Sequence, residues 1–213
     1  MEADKMLDYI KDVLENMPAD WLRLTTHRLD IYNEELAKVQ FLDQFEILAN
    51  QNKSSSSALS ELPTAYDYIR LGHPLSCVLE WAIAKLNNLA PDQVISFLSK
   101  TTPILSVLRK NLLNHKNTLI AYTNELPSSF DTEVLKTVYG YTFELKKVEK
   151  ASDVTEFDGS VIFVSHQDEI SPINQNSNID FYIHLYADFG SVLLVNGEQN
   201  KEYISDIQHV RRR

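Results

Sequence analysis

Between residues 94 and 197 the chain alternates short apolar runs with stretches of helical spacing, and no other feature limits its fold as tightly. VISFL (94–98), TLIAY (118–122), VIFVS (161–165) and SVLLVNG (191–197) have the length and composition of buried strands, and YTFELKKV (141–148) alternates as a strand does. Residues 101–114 read as a helix with Pro103 tolerated in its first turn. Residues 130–138 read as another, with Asp131 as N-cap. IDFYIHLYADFG (179–190) fits a helix stopping at Gly190 in the left-handed conformation, and the rival reading makes 181–195 a hairpin turning at Asp188–Gly190. Strands and helices in this rhythm predict an α/β fold, a mostly parallel sheet flanked by helices.

Ahead of it the rhythm is purely helical. Met6, Ile10, Val13 and Leu14 mark a helix over 3–16 that Pro18 ends. Residues 29–49 repeat the pattern, and Met17, Trp21, Leu22 and Leu24 read as packing residues. NQNKSSSSALS (50–60) is polar and serine-rich. The expected organisation is a helical N-terminal arm over 1–50, a linker over 51–60 and an α/β domain over 61–213. A second helix is expected over 75–87, within that domain.

Charge and composition exclude several functions. A formal net charge of −10 opposes binding to phosphate backbones and anionic lipid, so nucleic acid and membrane are poor partners. Arg211 to Arg213 read as a solvated tail. No apolar run reaches the length of a membrane span, and the acidic, amphipathic start lacks the features of a secretory leader. Cys77 is the single cysteine, which suits a reducing, cytoplasmic setting, and it reads as a buried core residue. The six histidines show no metal-ligand spacing, so no metal is expected. His166, Asp168 and Glu169 follow a strand and read first as a solvated loop. No Gly-x-Ser-x-Gly elbow surrounds Ser76 or Ser99, and five glycines are few for a backbone phosphate cradle.

The segment YDYIRLGHPLSCVLEWAIAKL (66–86) carries Tyr68, Arg70, Gly72, Pro74, Leu79, Glu80, Ile83 and Ala84. With the order of elements after it, this segment resembles the cystathionine gamma-synthase family, trans-sulfuration enzymes of the fold-type I pyridoxal-phosphate class. The resemblance covers about residues 66–200. It implies the large domain of such an enzyme, with Tyr68 and Arg70 holding a cofactor phosphate across a dimer interface. The physical basis is sound, since a guanidinium binds phosphate in two places and a phenol adds a donor. Ser99 stands at the serine of the phosphate-cradling turn, and Asn196 at the carboxylate that pairs with the pyridine nitrogen.

The departures from that pattern are chemical. Lys100 replaces the turn glycine, whose bare backbone lets a phosphate approach. Asn124 stands near the ring-stacking aromatic, with Tyr122 close by. Ser171–Pro172 replaces an Asn-Pro. Asn196 cannot hold the proton that makes the ring an electron sink. The Schiff-base lysine, in its Ser-x-x-Lys setting, would follow beyond residue 213. The expectation is therefore a degenerate, non-catalytic relative acting as a binding or scaffold protein. It would have no catalytic residue and no required cofactor, although pyridoxal phosphate is possible, and it would form a homo-oligomer or bind a protein partner. The alternative is a divergent or truncated cystathionine gamma-synthase-like subunit, completed by a lysine from another chain or a longer frame.

Overall fold

The structure, a computed structural model, describes residues 3–22, 39–63 and 73–211, with backbone only for 209–211. Tyr68 and Arg70 lie outside the described residues, as do the first ten residues of the helix expected over 29–49. The chain divides into two compact units, Met1–Asp92 and Gln93–Arg211. The division falls near Asp92, not at the serine-rich stretch. There, Ser56–Ser60 forms a short helix capped by Ser55, and its Leu59 is fully buried.

The first unit is helical. Its described helices are α1 (Ala3–Asn16), α2 (Val39–Asn50), α3 (Ser56–Ser60) and α4 (Pro74–Leu86). Helix α1 buries Met6, Tyr9 and Val13, a stripe at spacings of three and four, and leaves its acidic face in water. These side chains meet Phe41 and Phe45 of α2, Trp81 of α4, and Trp21 in one core. Phe45 and Trp81 pack edge to face with centroids 5.2 Å apart. Trp81 donates its indole N–H to Glu46, which also pairs with Lys85 at 2.8 Å. Burial acts to raise the Glu46 pKa, but the hydrogen bonds from Lys85 and Trp81 outweigh it and hold the carboxyl below its ordinary value.

Helix α4 shows what YDYIRLGHP leads into. The His73 Nδ1 accepts from the Leu75 amide and Pro74 fills the first helical position, two devices that fix a helix start. The helix stops at Asn88, left-handed at φ 54°. Cys77 is buried, as expected of a core cysteine.

The second unit is α/β. Its strands are β1 (Val94–Phe97), β2 (Thr118–Tyr122), β3 (Glu144–Lys147), β4 (Ser160–His166), β5 (Phe181–Tyr186) and β6 (Gly190–Val195). Its helices are α5 (Thr102–Leu113), α6 (Thr132–Thr137) and α7 (Glu202–Arg211). The sheet order is β1-β6-β5-β4-β2-β3. The ladders β2–β3, β2–β4 and β4–β5 are parallel, and β6 runs antiparallel to both its neighbours. Five strands therefore point one way, and the sheet is mostly parallel and flanked by helices, as the rhythm of the sequence predicts. Asp131 caps α6 by accepting from Glu133 and Val134 amides, also as read.

Residues 179–190 are not a helix. They form β5, a three-residue turn (187–189) and the start of β6, with Tyr186 opposite Gly190. The hairpin reading is the correct one. All six β5 residues are buried, so no two-residue alternation is visible. The aromatic and β-branched content of FYIHLY is what favours a strand. Gly190 has φ 96°, and a Cβ there would lie 2.2 Å from the Phe97 carbonyl oxygen. That glycine lets β6 lie against β1 and does not end a helix.

One face of the sheet packs under α5, α6 and α7, through Ile95, Ile120, Ile162, Ile183 and Leu193. A buried polar chain crosses that layer: the Tyr203 hydroxyl donates to Asn111 Oδ1 at 2.6 Å, and Asn111 Nδ2 donates to Thr118 Oγ1 at 2.8 Å. The edge strand β3 is exposed at all four positions and carries Lys146 and Lys147, charges that discourage edge pairing.

Candidate functional site

The opposite face of β4 and β5 floors a cavity of about 940 Å³ that lies wholly within the second unit. Alternate residues of paired parallel strands share a face. Phe163 and Ser165 of β4 therefore stand beside Tyr182 and His184 of β5, their Cα partners in the ladder. The Phe163 and Tyr182 rings meet edge to face at 6.0 Å, and Tyr182 and His184 do so at 6.4 Å. The cavity opens toward the carboxyl ends of β2, β3 and β4, where loops of an open α/β sheet usually receive ligands. Its walls are residues 149–156 and 171–178.

Asn176 holds the two walls together. Its Nδ2 donates to the Ala151 and Val154 carbonyls at 2.9 and 3.0 Å, its Oδ1 accepts from the Asn178 amide, and its own amide donates to the Tyr182 hydroxyl. Burial raises the Tyr182 pKa, with the Asn176 hydrogen bond acting the other way. A wall built on backbone carbonyls held by one side chain is pre-shaped.

The floor has one unusual member. His184 is 6 % exposed, and among the described residues no group hydrogen-bonds its imidazole. Desolvation pushes its pKa down to about 4, so the ring is neutral at neutral pH and keeps one donor and one acceptor nitrogen. Beside it, Ser165 Oγ accepts from Gln167 Nε2 at 3.0 Å. That leaves its hydroxyl hydrogen with no acceptor among the described residues. Neither residue was singled out as a site residue from the sequence. With 179–190 read as a helix, His184 carried no relation to VIFVS, and only the strand pairing brings it to Ser165.

The residues the sequence did single out lie elsewhere. Ser99 follows β1, at the carboxyl end of the parallel strands. Its Oγ accepts from the Thr101 and Thr102 amides at 3.2 and 3.1 Å, and its carbonyl accepts from Ser191. The two amides that could meet a phosphate at the start of α5 are thus engaged by the serine itself. The Lys100 ammonium donates to the Ala187 carbonyl. Asn196 follows β6, which runs the other way, so it lies at the opposite end of the sheet. There its Nδ2 donates to the Ile179 and Asn176 carbonyls at 2.7 and 3.3 Å, and its carbonyl accepts from Asn200. A strand length, roughly 15–20 Å, separates the ends. One pyridoxal phosphate cannot touch both Ser99 and Asn196, and this pair does not make a site for it.

His166 Nε2 donates to the Glu125 carbonyl at 2.9 Å, and His166 is exposed with Asp168 and Glu169. Among the described residues no group of three metal-ligating side chains comes together. Among them, too, no helix is long and apolar enough to cross a membrane.

No family model matches the chain, and no curated protein does. Solved structures similar to it include metB from Corynebacterium glutamicum, at 16% identity and TM-score 0.45, covering 71% of this chain and 49% of that one. Another is a Campylobacter jejuni protein assigned as an O-acetylhomoserine (thiol)-lyase, metY, at 13% identity and TM-score 0.29, covering 66% and 43%. A NifS-like protein is similar at 12% identity and TM-score 0.36, covering 89% and 67%. The chain spans about half the length of the metB structure. The likeness to pyridoxal-phosphate enzymes of fold-type I is distant and partial, and it carries no activity across.

Proposed function

We propose that the chain is a non-catalytic relative of the pyridoxal-phosphate-dependent trans-sulfuration enzymes, acting as a binding or scaffold protein. The observation that carries this reading is the engagement of Asn196. Both contacts of its amide go to backbone carbonyls of its own fold, at the sheet end away from Ser99. A side chain used in this way orders a loop, and it carries no carboxylate to hold the proton of a ring nitrogen. The cavity over β4 and β5 supports binding, because its walls are pre-shaped and its floor retains polar groups. Binding through a second copy or another protein, and a cytoplasmic location, belong to the same reading. The single, buried Cys77 suits the location.

The test is titration with pyridoxal phosphate, followed by visible absorption and by borohydride reduction with peptide mass mapping. The expected result is no Schiff-base band and no specific pyridoxyl-lysine. A band that reduces onto one lysine would overturn the non-catalytic reading.

A further inference from the structure

The structure assigns the cavity over β4 and β5 as a binding site for a neutral lactam ring carrying a polar substituent, with Ser165 and His184 reading the lactam edge. This deepens the binding-protein reading and rests on it.

The argument starts from spacing. Ser165 and His184 are Cα partners in a parallel ladder, so their side chains stand on one face about 5 Å apart. That is the distance over which a carbonyl oxygen and an adjacent ring N–H can be met together. The Ser165 hydroxyl is a donor with no acceptor among the described residues, and a neutral imidazole offers an acceptor nitrogen. The pair complements a carbonyl followed by N–H, the edge of a lactam.

Two further observations bear on the class. The desolvation that keeps His184 neutral also opposes an anion or cation at that depth, so the ring portion is uncharged. The cavity is several times larger than a single ring, and its outer wall carries Asn124 and Asn174, which suit a polar substituent.

The experiment is calorimetric titration of the full chain with uridine and inosine, and with 3-methyluridine, which keeps the sugar but loses the ring N–H. Histidine side-chain ¹⁵N spectra report the His184 nitrogens directly. Expected are saturable binding of uridine or inosine, a shift confined to the His184 resonances, and roughly tenfold weaker binding in S165A and in H184L. 3-Methyluridine should bind correspondingly weakly. H184L replaces a buried ring by an apolar side chain, and circular dichroism shows whether it folds; S165A is the smaller change and tests the site independently. Failure of both nucleosides to bind at millimolar concentration overturns the assignment, as does equal affinity for uridine and 3-methyluridine. Neither outcome touches the non-catalytic reading, which fails only on the pyridoxal phosphate titration.

Discussion

Asn196 and His184 lie in the same sheet and are treated in opposite ways. At the amino-terminal end of β4 and β5, Asp180, Asn196 and Asn200 are tied together by hydrogen bonds. Asp180 accepts from the Val161 amide and from Asn200 Nδ2, both at 2.8 Å, while Asn196 ties down Ile179 and Asn176. On the cavity face, His184 is 6 % exposed and has no hydrogen-bond partner among the described residues. Folding explains the first arrangement, because most of these bonds satisfy backbone groups that burial would otherwise orphan. It does not explain the second, and a fold that leaves a deep imidazole unpaired beside a cavity leaves room for a ligand to pair it.

The strongest way to break that comparison is at the hydrogen-bonded Asp180 cluster. D180A removes the acceptor from the buried Val161 amide and from Asn200 together. Two hydrogen bonds to a carboxylate and one orphaned N–H amount to about 4 kcal/mol, read as a fall in unfolding free energy by denaturant titration. A loss below 1 kcal/mol would show that this cluster is not the structural clamp described. Next comes pH. The His184 pKa is about 4 in the folded chain and about 6.5 unfolded, so between those values the unfolded chain binds the extra proton. Its contribution is therefore intact above pH 6.5 and is lost as pH falls toward 4. The loss reaches about 3 kcal/mol at the acid end, from 1.36 kcal/mol per unit. Carboxyls such as Glu46, held below their ordinary pKa, also contribute on the acid side, so the measurement is the difference between wild type and H184L. If the two pH profiles run parallel, the imidazole is not desolvated. On the helix-covered face, Y203F leaves Asn111 Oδ1 without the phenol's hydrogen, at a cost of about 1 to 2 kcal/mol in the same assay.

Much of this molecule was legible in its sequence, and the reason is local. The strands at 94, 118, 144 and 160 and the helices at 3, 74, 102 and 132 each carry their own signal, such as Asp131 at a cap, Pro74 and Pro103 at first turns, or an apolar run of strand length. FYIHLY failed that test because a strand buried on both faces shows no alternation, and a Gly four residues past its end reads equally as a helix stop or a hairpin turn. The site followed the fold. Ser99 and Asn196 could be placed at turns, but not at opposite ends of the sheet, because that depends on β6 running backward. Reversal of one strand is a property of pairing and leaves no mark in the residues themselves. His184 stayed unseen for the same reason: its meaning comes from Ser165 across the ladder, nineteen residues away.

The smallest effect is the most discriminating. At pH 7 the His184 ring is neutral and faces the cavity without a hydrogen bond to any described residue, so little holds the imidazole in place of an apolar side chain. H184L removes those polar atoms while keeping an apolar side chain on the floor between Tyr182 and Tyr186. The expected change in the unliganded chain is a gain of up to about 1 kcal/mol, whereas D180A at the paired end destabilises. Chemical denaturation of wild type and H184L, without ligand, measures it. A loss of more than about 2 kcal/mol would mean that the imidazole already has a structural partner, and the contrast between the two ends of the sheet would disappear.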